Sequence, residues 1–306
     1  MANYDYDIGV IGGGAAGLTV TSGAAQLGAK TLLVEKEKAL GGDCLHFGCV
    51  PSKTLIKTAH VYHQMKNSKA FGLPQIELPP VDFGQVSKRI QSVISIIQQH
   101  DSEERFCNLG AKVEFGDPRF TDEHTIRLNG KALSAKHWVI ATGSSPVAPP
   151  IEGLDKTPYI TNKEIFYLDH LPESLIILGG GPIGTEMGQA FNRLGTKVFI
   201  VDRADQILGK EDKDMADGVM NVMRSEGVVF HLNASIEAAK DLGSQKQVVI
   251  KNAEGKTIRL NAETILVAMG RSANVQELGL EDIGVKFDKR GITVDKRLRT
   301  NHKHIY

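Results

Sequence analysis

Gly12-Gly-Gly14-Ala-Ala-Gly17 follows the apolar run Tyr6-Asp-Ile-Gly-Val-Ile11 and opens an Ala/Leu-rich stretch, 15–27, with helical spacing. Thr31-Leu-Leu-Val34 then reads as a second buried strand, and Glu35 closes it 23 positions after Gly12. Strand, G-x-G-x-x-G turn, helix, strand and terminal acid together make one βαβ unit with a dinucleotide fingerprint. In such a unit Gly12 makes the turn, Gly14 lets the backbone approach a pyrophosphate and Gly17 lets the helix pack on the strand. The acid is placed to hold ribose hydroxyls. The same order returns at 174–202, where Ser174-Leu-Ile-Ile-Leu178 leads into Gly179-Gly-Gly181-Pro-Ile-Gly184 and a helix over 183–193. Lys197-Val-Phe-Ile-Val201 follows, and Asp202 again lies 23 positions after the first glycine. Two copies imply two dinucleotide sites, hence electrons passing between two bound nucleotides.

The chain between the copies is ordinary globular sequence. Val86, Ile90, Val93, Ile94 and Ile97 fall on one helix face. Asn129-Gly130 sits between two short strands as a hairpin signal, and His137-Trp-Val-Ile-Ala-Thr142 reads as a further buried strand. Five prolines in 146–172 mark a crossing between domains. After about 272 the pattern becomes short strands and turns, ending at Tyr306 in what reads as a strand.

Composition excludes several classes. The 306 residues suffice for about two domains. Thirty-six basic residues against 36 acidic ones, with no like-charge block, leave no field to attract nucleic acid or an anionic membrane. No basic run precedes an apolar stretch at the N-terminus, and no window of eighteen apolar residues occurs. Cys44, Cys49 and Cys107 are too few, and odd in number, for a disulfide-stapled extracellular scaffold, so a cytoplasmic location is expected.

Cys44 and Cys49 lie in Gly41-Gly-Asp-Cys-Leu-His-Phe-Gly-Cys-Val-Pro-Ser-Lys53. Five residues of regular helix rise about 7.5 Å, beyond the roughly 7 Å Cα separation a disulfide tolerates. A bridge therefore needs a distorted segment, which Gly48 and Pro51 make easier. From the residues alone three readings stand: a redox pair, two small buried side chains, or half of a metal site. A zinc site wants four ligands, and neither a second cysteine pair nor a well-spaced histidine pair follows. His60 and His63, one helical turn apart, read as surface or packing residues.

The succession of glycine fingerprint, C-x4-C-x-P-S-K, Ala141-Thr-Gly-Ser144, second fingerprint and Gly270-Arg271 resembles the FAD-dependent pyridine nucleotide-disulfide oxidoreductases over essentially the whole chain. That family includes dihydrolipoamide dehydrogenase, glutathione reductase and mercuric reductase. The resemblance implies an α/β fold of two Rossmann-like FAD/NAD(P)-binding domains, the second inserted in the first. It divides the chain into 1–150 (FAD-binding, first part), 151–271 (NAD(P)-binding) and 272–306 (return to the FAD-binding domain). It implies that Gly12, Gly14 and Gly17 hold the FAD pyrophosphate and Glu35 the adenosine ribose. Lys36, Gly42, Gly116, Thr142 and Gly143 would line that cofactor, while Gly179, Gly181, Gly184, Asp202 and Gly270 would serve the nicotinamide nucleotide.

By the same resemblance Cys44 and Cys49 form the redox disulfide, Cys49 against the flavin and Cys44 as the interchange thiol. Lys53 stands beside flavin N5 with Glu186 as its ion-pair partner, although 133 residues separate them and both read by themselves as solvated helix charges. A cation there favours electron density arriving at the ring. Asp202 favours NAD over NADP because a carboxylate accepts from a ribose 2′-hydroxyl and repels a 2′-phosphate, with Arg203 beside it as a counterweight.

The sequence departs from the pattern in places. Asp43 stands where threonine is usual, His46 where asparagine is, and Pro182 where a flavin-covering side chain is. With Gln189-Ala-Phe191 the last is similar to mercuric reductase, though a preceding metal-binding C-x-x-C domain is not expected. The expected substrate is a thiol or disulfide, with a soft metal ion as the alternative. The family's later A-x-G-D motif and its dimerisation domain with a His-Glu pair would lie beyond Tyr306, so the chain is expected to be truncated and to lack the homodimer interface. An inactive nucleotide-binding fragment is the remaining alternative. His302 and His304 read as partly exposed strand residues that do not replace that base.

Overall fold

A computed structural model describes residues 3–306; Met1 and Ala2, at the start of the N-terminal reading and of the 1–150 domain, lie outside the described residues. The chain divides into two compact units. The first comprises the described residues up to Cys49, with Ile94–Ser145 and Arg271–Tyr306; the second comprises Val50–Val93 and Pro146–Gly270.

In the first unit β1 (Tyr6–Ile11), α1 (Ala15–Gln26) and β2 (Thr31–Glu35) form the expected βαβ unit. The short helix α2 (Gly42–His46) follows, and α3 (Cys49–Lys66) begins at the last residue of this segment. After α4 (Phe83–Gln98), which belongs to this unit only from Ile94, and α5 (Glu103–Asn108) come β3 (Ala111–Phe115), β4 (Arg119–Phe120), β5 (Thr125–Leu128), β6 (Lys131–Ile140) and β7 (Ser144–Pro146). The sheet order is β3-β2-β1-β6-β5-β4, parallel through β6 and antiparallel beyond it. Because side chains alternate across a strand, the unit has a core on each face. Val10, Leu33 and Val113 pack with Leu18 and Phe106 on one side. Ile11, Leu32 and Val34 pack with Trp138, Phe120 and the apolar residues of 275–285 on the other.

Two strand expectations are corrected here. Residues 131–140 form one ten-residue strand rather than a hairpin arm followed by a separate strand at 137–142. Its first half pairs antiparallel with β5 and its later residues parallel with β1, so both neighbours are satisfied without a break. The hairpin turn itself is as read, with Asn129 and Gly130 both at positive φ. The chain end is not a strand but an isolated bridge between Ile305 and Trp138.

The second unit is built on β8 (Ser174–Leu178), α6 (Pro182–Leu194), β9 (Lys197–Val201), α7 (Lys213–Ser225) and β10 (Val229–His231). A meander of β11 (Ser235–Asp241), β12 (Lys246–Lys251) and β13 (Thr257–Ala262) precedes β14 (Thr264–Val267). The parallel sheet runs β10-β9-β8-β14, and the meander is antiparallel. Ile176, Leu178 and Val201 of the sheet share one buried cluster with Val248, Ile250 and Leu260 of the meander. Residues 50–93, read from sequence as part of a continuous 1–150 segment, group with this unit. Phe83 at the start of α4 packs its ring 5.4 Å from that of Phe191 on α6, and Ser87 donates to the Phe166 carbonyl.

Candidate functional site

The two glycine turns use their glycines in the same way. A Cβ added at Gly12, which has φ +108°, would stand 2.4 Å from the Ala141 carbonyl oxygen; at Gly179, φ +111°, one would stand 2.5 Å from that of Ala268. At Gly17 and Gly184 it would lie 1.8 and 2.0 Å from the carbonyl oxygens of Gly12 and Gly179. These four positions are closed by backbone. Gly14 and Gly181, by contrast, cap α1 and α6 with no side-chain hydrogen bond. A Cβ on Gly14 would meet nothing nearer than 3.8 Å and one on Gly181 nothing within 4 Å. The second glycine of each turn therefore leaves open space at a helix N-terminus, where a phosphate is favoured by the first-turn amides. The residues present fit a dinucleotide pyrophosphate at both turns.

Glu35 and Asp202 are matched as well. Oε2 of buried Glu35 accepts from the Gly13 N–H at 2.6 Å and Oε1 from the Glu37 N–H at 2.8 Å. Oδ2 of Asp202 accepts from the Gly180 N–H at 2.6 Å and Oδ1 from the Ala204 N–H at 2.8 Å. Each acid thus fixes its own glycine turn, a task the ribose reading did not include. A carboxylate has about four acceptor sites, so two remain for ribose hydroxyls.

Around the first turn, Gly116 donates its N–H to the Glu35 carbonyl at 2.9 Å, and Lys36 is exposed beside it. Thr142 and Gly143 follow β6. Thr142 Oγ1 donates to the Asn274 carbonyl at 2.6 Å, Asn274 Nδ2 to the Thr142 carbonyl at 2.9 Å, and the Asn274 N–H to the Gly143 carbonyl at 3.0 Å. Asn274 was missed from sequence; its signal was a lone amide three residues after Arg271. Gly270, at φ +142°, belongs to the second unit, where its carbonyl accepts from the Val147 N–H.

The cysteine segment is broken where a bridge would need it. Helix α2 ends at His46, Phe47 leaves helical geometry with φ −137°, and α3 starts at Cys49. Gly48 permits the fold-back, since a Cβ there would stand 2.8 Å from the Asp43 carbonyl oxygen and 3.2 Å from the Cys44 Cα. Pro51 sits in the first turn of α3, where a missing N–H costs nothing. Cys44 and Cys49 are not bridged but are hydrogen-bonded to each other, the first partly buried and the second exposed. Burial, then the hydrogen bond to Cys49, pushes the Cys44 thiol up to about 11. His46 Nε2 contacts the Leu40 carbonyl at 3.1 Å.

Lys53 lies one turn along α3 from Cys49. Its Nζ is 2.6 Å from Oε1 of Glu186 on α6, within the second unit. The two charges read from sequence as solvated are therefore also paired. Both are well exposed, at 61% and 40%, so the pair contributes little to stability, about 0–1 kcal/mol. They line a cleft of about 260 Å³ together with Ile56, Ala59 and Ala190. Arg193, also in its lining, is held by Glu226 at 2.6 and 2.9 Å. The cleft is below the usual 300–1,000 Å³ of ligand pockets. Among the described residues no group of three or more His, Cys, Asp or Glu is placed to hold a metal ion. His63 instead faces Glu226 at 3.8 Å.

The family model described as pyridine nucleotide-disulphide oxidoreductase matches residues 6–306. The chain belongs to this family. It is 32% identical over 305 residues to the mercuric reductase of Bacillus cereus, with 99% of this chain and 48% of that protein covered. It is 33% identical to the dihydrolipoyl dehydrogenase of Acholeplasma laidlawii, with 99% and 88% covered. Among solved structures it superposes on the HOCl-induced flavoprotein disulfide reductase RclA from Escherichia coli with a TM-score of 0.85 at 30% identity, covering 98% of this chain and 65% of that one. The chain thus spans about half the length of the Bacillus mercuric reductase. Membership in the pyridine nucleotide-disulphide oxidoreductases carries FAD and NAD(P) binding and the α/β architecture seen here. No helix among the described residues is long and apolar enough to cross a membrane.

Proposed function

We propose that this chain carries the nucleotide-binding and dithiol parts of an FAD-dependent, NAD-linked disulfide oxidoreductase acting on a small or protein-bound thiol or disulfide. The observation that carries the reading is the contact between Cys44 and Cys49, held by a helix break at Gly48 in the same unit as the first glycine turn. FAD, when bound, supplies two-electron transfer between the nicotinamide and the cysteine pair.

The cysteines perform the exchange. The Cys44 thiolate attacks a substrate disulfide and releases one thiol; Cys49 then attacks the Cys44 sulfur of the mixed disulfide, releases the second thiol and closes the Cys44–Cys49 bond. Two electrons leave the pair and two protons end on the substrate thiols. A Cys44 thiol near 11 is protonated at neutral pH, so the first step needs a base to take its proton. The resemblance assigns that base to a His-Glu pair in the family's dimerisation domain, which makes the homodimer part of the proposal. Lys53, paired with Glu186, would supply the cation that the resemblance assigns to flavin N5. Asp202, already anchored to its own turn, accepts from the ribose of NAD and disfavours a 2′-phosphate.

The mercuric reductases among the relatives favour a second reading in which the same dithiol delivers electrons to a soft metal ion. The test is NADH oxidation by FAD-loaded protein with a lipoamide-type disulfide, glutathione disulfide and Hg(II) offered separately. Turnover with one of the disulfides supports the first reading and turnover with Hg(II) alone the second. Protein that takes up no FAD and leaves NADH unoxidised would be a nucleotide-binding fragment without this chemistry.

A further inference from the structure

The turn that carries Cys44 lies directly against the first glycine turn. Gly41 donates its N–H to the Gly13 carbonyl at 2.8 Å, and Gly14 and Gly41 form a parallel bridge. A Cβ on Gly42, which has φ +58°, would stand 2.7 Å from the Gly14 Cα. The next residue is Asp43. The chain therefore places a carboxylate one residue from the contact with Gly14, the glycine left open for a phosphate. An uncompensated carboxylate there opposes any anion entering the turn.

Arg271 supplies the compensation. Its Nη2 lies 3.1 Å from Asp43 Oδ2, and the pair is partly shielded, with the side chains 26% and 39% exposed. The guanidinium is held independently of Asp43, because Nε donates to Ser144 Oγ at 2.8 Å and Nη2 to the Ser144 carbonyl at 2.5 Å. A planar fork fixed on a hydroxyl and a backbone carbonyl presents its charge at a set place, which lysine would not do. All of these residues belong to the first unit.

We propose that Arg271 is the counter-ion that allows Asp43 to stand beside the FAD pyrophosphate turn, and that the balance of this pair sets the affinity for FAD. The inference rests on the FAD reading of the first turn. It assigns opposite signs to the two residues. Arg271→Gln takes the cation away from the carboxylate and weakens FAD binding, while Asp43→Asn takes the carboxylate away from the guanidinium and tightens it. The double variant restores the balance. A purely structural role for the pair would make both single variants weaker.

The experiment titrates flavin-free protein with FAD, followed by flavin fluorescence at low salt, with riboflavin as a probe lacking the pyrophosphate. The expected loss for Arg271→Gln is about tenfold for two like charges in a partly shielded site. Asp43→Asn should gain several-fold and the double variant should fall within about threefold of the unmodified protein, with all differences shrinking at high salt. Riboflavin affinity should be the same in all four proteins. Weaker FAD binding by both single variants, or equal FAD binding by all four, overturns the counter-ion role while leaving the FAD reading intact. If the unmodified protein binds no FAD, that reading fails and the inference with it. Should Arg271→Gln not fold, Asp43→Asn decides alone, because tightening is required of it.

Discussion

Gly184 and Gly181 are three residues apart in one turn, yet they should fail in different ways when each is replaced by alanine. A Cβ at 184 would stand 2.0 Å from the Gly179 carbonyl oxygen and 3.1 Å from Ile177 Cγ2. Real Cβ contacts do not fall below 3.0 Å, so the start of α6 and the turn must separate by about 1 Å. Overpacking of this kind costs about 1–3 kcal/mol. Gly181 has φ −71° and open space around its Cα, so alanine fits, with an N-cap penalty of at most about 1 kcal/mol. Its methyl group would instead occupy the approach to the pyrophosphate. Losing one charge-assisted hydrogen bond there costs about 1.5–3 kcal/mol, or roughly ten- to a hundredfold in nucleotide affinity. Urea unfolding and NADH titration of both variants separate the effects. Gly184→Ala should unfold at lower urea, whereas Gly181→Ala should unfold near the unmodified protein and bind NADH weakly. Unchanged NADH affinity in Gly181→Ala would refute the assignment of that glycine to the nucleotide.

Alkylation of Cys44 in the reduced protein should rise tenfold per pH unit up to about 11, because at pH 8 it holds about a hundredfold less thiolate than a thiol at 9.0; a plateau below pH 9 contradicts this. NADH should bind about ten- to a hundredfold more tightly than NADPH, and Asp202→Asn, which keeps part of the turn's hydrogen bonding, should narrow the gap; tighter NADPH binding by the unmodified protein would show that Arg203 decides. Burial, then neighbouring His124, pushes His304 down, and burial, then Lys136, does the same to His137. A group whose folded pKa is depressed in this way leaves the unfolded chain binding more protons, so stability should fall as pH drops below about 6.5. Trp138, the only tryptophan and fully buried, exchanges hydrogen bonds with His304 and Tyr306, so its emission should shift red on acidification and do so at lower pH in His124→Gln/His304→Gln; an unmoved midpoint would remove those histidines from the cause.

The parts of the fold legible in the sequence were those dictated by short-range backbone rules. Gly12, Gly17, Gly179 and Gly184 are glycines because carbonyl oxygens occupy the space of a Cβ, and that requirement shows as fixed spacing. A break between Cys44 and Cys49 was legible only on the condition that the two bridge, since helical rise then rules out a regular segment. Long-range polar pairing has no such period. Asn274 against Thr142 and Arg271 against Asp43 join residues more than 130 apart, and nothing local marks the partner. Strand β6 was split in the reading because its two halves satisfy different neighbours and so carry different patterns. The second duty of Glu35 and Asp202, holding their own glycine turns, was hidden because the ribose reading already accounted for an acid at that position.

The most direct test of the account is to count accessible thiols, by alkylation and peptide mass, in air-oxidised FAD-loaded protein before and after anaerobic NADH. Cys44 and Cys49 are expected to be unlabelled beforehand and both labelled after NADH, with Cys107 labelled throughout, and omitting FAD should abolish the change. Protein that binds FAD and is reduced by NADH while Cys44 and Cys49 keep the same labelling before and after would contradict the central claim that these two cysteines exchange electrons with the bound nucleotides.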